Sequence, residues 1–175
     1  ASLSNLPAEP TYENLLLNSS GGHTYLFNIS SPDILIKKDL ELINTKLNIN
    51  GSEKFKLQTG GSIKFSSSAS LTSSFSNLAE LVLTGKETQE IELNNINLEL
   101  NSLTVLNPAG VTLSETGGSS NIYLSAGSAN SLNMNAGNIN LNSNKLILGS
   151  GTTEPGTLNY TSGFITGTGT FGRWF

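Results

Sequence analysis

Ile91-Glu92-Leu93-Asn94-Asn95-Ile96-Asn97-Leu98-Glu99-Leu100-Asn101-Ser102-Leu103-Thr104-Val105-Leu106-Asn107-Pro108-Ala109-Gly110-Val111-Thr112-Leu113 holds four copies of one short unit, apolar-x-apolar, with Asn, Ser, Pro and Gly between them. Alternation at period two sends the outer residues of each triad to one side of a strand and the middle residue to the other. Upstream the unit recurs as Leu47-Asn48-Ile49, Phe55-Lys56-Leu57 and Ile63-Lys64-Phe65. Downstream it continues as Ile122-Tyr123-Leu124, Leu132-Asn133-Met134, Ile139-Asn140-Leu141 and Leu146-Ile147-Leu148. One face of each strand is apolar and the other is wet. Strands this short cannot each carry a sandwich, but stacked in coils they share one continuous interior. The sequence therefore predicts an all-β chain folded as a parallel β-helix, or β-solenoid.

Three segments follow from the pattern. Residues 34–155 carry the triads and make about five irregular coils. Aligning Leu40, Ile63, Ile91, Val111 and Ile139 as one column, and Leu98, Ile122 and Leu146 as another, gives a coil of about 20 to 28 residues. Residues 1–33 hold three of the five prolines and the sole histidine, and read as an atypical N-terminal cap. Within the cap, Tyr12 to Leu17 is helix-compatible, and Gly21-Gly22 precedes an alternating strand pattern from Thr24 to Ile29. Residues 156–175 form a terminal strand segment that leads toward a following module, with Phe171, Trp174 and Phe175 as the packing residues. Asn94, Asn97 and Asn101, or Asn138, Asn140, Asn142 and Asn144, suit turn and outward positions, because Asn tolerates left-handed backbone. The alternative architecture is an antiparallel β-sandwich, which also spaces short strands by turns. Its two-residue hairpin signal occurs only at Asn50-Gly51.

Composition narrows the function classes. Hydrophobic residues are 36% and charged residues 13%, so small polar residues fill the surface, yet the Ile and Leu content is too high for a disordered chain. A net charge of -4 with Arg173 as the one arginine gives no basic patch for nucleic acid. Lys37, Lys38, Lys46, Lys54, Lys56 and Lys64 read as a solvated face. Cysteine is absent, which removes disulfides, thiolate metal sites and cysteine nucleophiles. No apolar run is long enough to span a membrane as a helix.

Catalytic chemistry finds few residues. Polysaccharide-cleaving β-helices need clustered acids, commonly with a basic residue beside them. Asp33 and Asp39 are the only aspartates, and Glu87, Glu90, Glu92 and Glu99 are the closest grouping of acids. Glu92 and Glu99 stand at the wet centres of triads. They read first as solubilising charges and second, with Glu90 and the rings of Tyr123, Tyr160 and Trp174, as a ligand-binding set for glycans. His23 lacks the partners of a triad or zinc site. Gly167-x-Gly169-x-x-Gly172 matches a dinucleotide fingerprint by spacing but has no helix after it. Thr166, Thr168 and Thr170 form one threonine row, too little for an ice-binding face. No enzyme activity, cofactor or metal is expected.

The run Leu158-Asn159-Tyr160-Thr161-Ser162-Gly163-Phe164-Ile165-Thr166-Gly167, followed by Phe171-Gly172-Arg173-Trp174, resembles a stretch of large secreted surface proteins of Bacteroidetes-type bacteria. In those proteins it follows strand-rich repeats similar to Asn142-Ser143-Asn144-Lys145-Leu146-Ile147-Leu148-Gly149. The resemblance covers roughly residues 130 to 175 and implies an extracellular, adhesin-like or scaffolding chain at the bacterial surface. It also implies export by the type IX route, whose C-terminal sorting domain these residues do not contain. The resulting expectation is a stiff stalk or adhesive segment whose partners are neighbouring modules, cell-surface partners or glycans. A polysaccharide-binding or polysaccharide-cleaving β-helix is the alternative, and a self-associating filament subunit is another.

Overall fold

In the computed structural model the described residues are 11–18, 24–28, 33–50, 55–66, 78–114, 118–125 and 131–175, and they form strands and turns without a helix. His23, Gly21-Gly22, Gly51 and Lys54 lie outside them. The chain winds as a three-faced parallel β-solenoid. The first face stacks β1 (Thr11–Tyr12), β4 (Asp33–Ile36), β7 (Phe55–Thr59), β9 (Leu78–Leu83), β12 (Ser102–Val105), β15 (Ser131–Met134) and β19 (Thr157–Tyr160). The second stacks β2 (Leu15–Asn18), β5 (Leu40–Ile43), β8 (Ile63–Phe65), β10 (Gln89–Glu92), β13 (Val111–Ser114), β16 (Ile139–Asn140) and β20 (Ile165–Thr166). The third holds β3 (Thr24–Asn28) against β6 (Lys46–Asn50), and further along β11 (Asn97–Leu100), β14 (Asn121–Leu124), β17 (Lys145–Gly151) and β21 (Thr170–Arg173).

Among the described residues neighbouring coils pair in parallel, and the one antiparallel contact is the small hairpin of β17 with β18 (Glu154–Pro155). This excludes the antiparallel sandwich. Residues 34–155 make five coils, and the strands on either side continue the same columns, so the first two faces each have seven strands. At about 4.8 Å per rung the stack is roughly 30 Å long. Coil length varies: 22 residues separate Gln89 from its partner Val111, and 29 separate Ser102 from Ser131.

The triads behave as the alternation predicts. Leu98, Ile122 and Leu146 stack in register, as do Leu40, Ile63 and Ile91, and all six are buried. Each such side chain contributes about 1.5–3 kcal/mol when removed from water, and the interior is one contiguous cluster from Leu15 to Leu148. The projected column does slip once. Ile91 pairs with Leu113, and Gln89 pairs with Val111, which in turn pairs with Ile139. The fourth coil therefore enters the second face one residue pair early, and a glutamine occupies an inward position.

Two further expectations are corrected. Tyr12 to Leu17 is extended rather than helical, with β1 and β2 flanking a bend and pairing with β4 and β5. Six residues are too few to nucleate an isolated helix, whereas parallel pairing supplies backbone partners at once. Asn101 and Asn144 are buried at 3% and 1% exposure rather than turned outward. Solenoid corners leave carbonyls without strand partners, and buried amides supply the missing donors. Asn144 Nδ2 donates to Leu113 O and Leu141 O, both at 3.0 Å, while its Oδ1 accepts from Ser120 N at 2.8 Å. Asn94 and Asn142 take turn positions with φ of 48° and 49°, joined by Asn44 at 50°, at the corner between the second and third faces. Asn97 is exposed, as is Asn138, and Asn140 is half-buried.

Candidate functional site

Strand alternation fixes where each chemically active side chain points. On β10, Glu90 and Glu92 flank buried Ile91 and face outward on the second face. Glu92 Oε2 sits 3.5 Å from Lys64 Nζ, one coil away in the same column. Glu99 lies on β11, on the third face, in register with Tyr123. The acids grouped by sequence are thus divided between two sheets. Glu87 sits at the corner between the first two faces, where its carbonyl accepts from Asn107 Nδ2 at 2.7 Å.

The rings divide in the same way. Tyr123 is half-buried on the third face, and Tyr160 is exposed on the first, donating its hydroxyl hydrogen to Gly163 O at 3.0 Å. Trp174 follows β21, with its backbone N–H on Leu148 O. Tyr123 and Tyr160 therefore do not share a platform. Phe171, Trp174 and Phe175 are all exposed in the last coil, at 37%, 47% and 81%.

The lysines have partners that the sequence did not reveal. Lys37 and Lys38 both reach Glu13, at 3.6 and 3.1 Å, and Lys56 reaches Asp33 at 3.6 Å. Lys38, by hydrogen bond and charge, and then Lys37 by charge hold the Glu13 carboxyl below its usual range. Every one of these pairs bridges adjacent coils. Being exposed, these pairs are screened by solvent and add little to stability. Toward the last coils the charged columns give way to amide and hydroxyl ladders. Asn133 Nδ2 donates to Thr104 Oγ1 at 2.8 Å, Asn159 Nδ2 to Asn133 Oδ1 at 2.7 Å, and Asn121 Nδ2 to Asn97 Oδ1 at 2.6 Å.

An open groove of about 520 Å³ runs along the corner between the first two faces, across the second to fourth coils. Its lining includes Lys37, Lys38, Ser62, Lys86, Glu87 and Thr88. Its wall at Gly60-Gly61 requires glycine, since an added Cβ would collide with the backbone of Lys37 or Lys38 in the coil before. Beneath it lies a buried amide cluster. Gln89 Nε2 donates to Thr59 O at 3.1 Å and Gly61 O at 2.6 Å, and its Oε1 accepts from Gly85 N at 2.8 Å and Asn107 Nδ2 at 3.0 Å. Neither Gln89 nor Asn107 was singled out by sequence, and only the two-residue slip in register marks them. A second open groove, of about 510 Å³, is lined by Ser114, Asn142, Ser143 and Thr168 at the next corner.

These surfaces offer hydrogen bonds to a polar ligand. Among the described residues no group of three or more His, Asp or Glu side chains is placed to hold a metal ion. Glu90 and Glu92 stand on one strand, with Lys64 against the second of them. No helix of the described residues is long and apolar enough to cross a membrane. Comparison with known proteins finds no matching family model, no similar curated protein and no similar solved structure.

Proposed function

We propose that this chain is a structural or adhesive segment of an extracellular bacterial surface protein, serving as a stiff stalk or scaffold. The observation that carries the reading is the in-register stack of seven rungs around one unbroken Leu/Ile/Val interior. Coils joined this way resist bending, because any bend must open hydrogen bonds and core contacts on one face. Outward columns change from charged residues to amides and hydroxyls while the inward columns stay largely apolar, with Gln89 an exception described above, so the exterior is free to vary. The role is mechanical and needs no chemical step. The surface location is supported by the resemblance of residues 158–174 to secreted surface proteins. Phe171, Trp174 and Phe175 are the residues proposed to pack against a neighbouring module.

A second reading, a polysaccharide-binding β-helix, is favoured by the open groove above Gln89, whose lining is rich in polar residues such as Lys86, Ser62 and Thr88. One experiment separates the two: the purified chain is tested against a broad polysaccharide and glycan panel, with reducing-end release assayed in the same wells. A stalk gives neither saturable binding nor release. Saturable binding weakened by Lys86→Ala selects the groove and the adhesive role, and release of reducing ends would overturn both non-catalytic readings. Labelling of intact cells by an antibody to the chain tests the surface location.

A further inference from the structure

The groove at the corner between the first two faces is made by a step in corner length. Ile36, Thr59 and Leu83 lie in register on the first face, and Leu40, Ile63 and Ile91 lie in register on the second. Residues 37–39 turn this corner in the second coil and 60–62 in the third, whereas the fourth coil uses 84–90. That longer corner follows Gly60-Gly61-Ser62, in which no side chain is larger than that of serine. Bulky corners therefore flank a low one: Lys37, Lys38 and Asp39 on one lip, and Lys86, Glu87 and Thr88 on the other, about 10 Å apart at two rungs.

Both lips are held by hydrogen bonds to the floor between them or within the corner itself. Gln89, 2% exposed, accepts from Gly85 N at 2.8 Å with Oε1 and donates through Nε2 to Gly61 O at 2.6 Å, so its amide ties the corner of the fourth coil to that of the third. On the opposite lip, Asp39 Oδ1 accepts from Ser62 N at 2.7 Å. A groove fixed in this way removes an ordering cost from binding. Its charges are matched: Lys37, Lys38 and Lys86 line it with Asp39 and Glu87, and Glu13 of the coil before pairs with both Lys37 and Lys38. Each lip thus carries an ammonium, which only donates, and a carboxylate, which only accepts.

We propose that this groove binds a neutral polysaccharide, whose hydroxyl groups bond to Lys86 and Glu87 on one lip and to Asp39 on the other. A sugar hydroxyl donates and accepts at once, so it suits lips that hold both kinds of group. A polyanion gains no net attraction from matched charges, and its own carboxylates or sulfates would meet Asp39 and Glu87 as like charges. The neutral class of the polymer rests on the polysaccharide-binding reading of the same groove.

The test is isothermal titration of the 175-residue chain with neutral polysaccharides (β-glucan, mannan and dextran) and with acidic ones (polygalacturonate and alginate), at low and high salt. The expected result is saturable binding of a neutral polymer that salt leaves unchanged, with weaker or no binding of the acidic ones. Lys86→Ala and Glu87→Ala should each lower that affinity about tenfold. Both side chains are exposed, so the melting temperature of these variants should match that of the parent. Lys145→Ala, exposed on the third face, should bind as the parent does. An acidic polymer bound as tightly as the neutral ones, or more tightly, would overturn the neutral class and leave the polysaccharide reading standing. No binding of any polymer would overturn both. Binding of a neutral polymer that neither substitution weakens would put the ligand elsewhere on the chain and overturn the assignment to this groove.

Discussion

Gln89→Leu is the most informative single substitution in the interior. Leucine matches the glutamine closely in volume and suits an inward column whose other members, Val111, Ile139 and Ile165, are apolar. By pattern alone the change should be harmless or stabilising. The hydrogen bonds argue otherwise. Thr59 O keeps the Thr84 backbone donor at 2.9 Å, Gly61 O keeps Thr59 Oγ1 at 3.1 Å, and Asn107 Nδ2 keeps Glu87 O at 2.7 Å. The Gly85 N–H, buried at the corner, loses its Oε1 acceptor. An orphaned buried donor costs about 1–3 kcal/mol, and the other three bonds lost contribute about 1 kcal/mol each before the apolar gain of leucine offsets part of the sum. The net expectation is a destabilisation of about 2–4 kcal/mol. Urea denaturation followed by circular dichroism measures it as a lower midpoint at unchanged slope. Pairing the change with Asn107→Leu should give a coupling of about 0.5–3 kcal/mol, because both amides belong to one network. A Gln89→Leu protein within about 0.5 kcal/mol of the parent would refute the claim that the amide pins this corner.

Other substitutions probe separate parts of the fold. Gly163 has a φ of 96° and an added Cβ would collide with Gly137 O, so Gly163→Ala should cost about 2 kcal/mol or more, and an unchanged melting temperature would show that the corner relaxes. The Tyr12 hydroxyl is buried without a hydrogen-bond partner among the described residues, so Tyr12→Phe should be neutral or stabilise by up to about 1 kcal/mol in urea, and a clear loss would reveal a bond to that oxygen. Burial also raises the Tyr12 pKa above 10.0, so its contribution holds below pH 10 and is lost as pH climbs through the raised value; a melting curve series should show less alkaline loss in Tyr12→Phe. For Glu13 the sign is opposite: with its carboxyl held below 4.5, its stabilisation is present above that pH and disappears as pH falls through the depressed value. Glu13→Gln should therefore melt slightly below the parent at pH 7 and converge with it as the pH falls through the depressed value, and a gap that stays constant on acidification would refute the ion-pair account.

Local alternation was enough to read the solenoid. The triads specify which residues turn inward, and columns such as Leu98, Ile122 and Leu146 follow because side-chain identity is nearly constant along them. Left-handed asparagines at Asn94 and Asn142 were legible too, since few residue types accept that backbone. The candidate acids were legible as outward residues but not as a group, because corners whose lengths vary decide which face a strand joins. Glu90 and Glu99 are nine residues apart in sequence and lie on different sheets.

What the sequence determined by itself is therefore the period-two pattern, the apolar interior and the parallel β-solenoid class, all properties of neighbouring residues in the chain. The tertiary structure decided the register between coils, the burial of Gln89, Asn101 and Asn144, and the ion pairs of Lys37, Lys38, Lys56 and Lys64. Those depend on which residue lies above which, some 22 to 29 positions away. That choice rests on the summed balance of hydrogen bonds, packing and charge across coils, to which no local window of sequence has access.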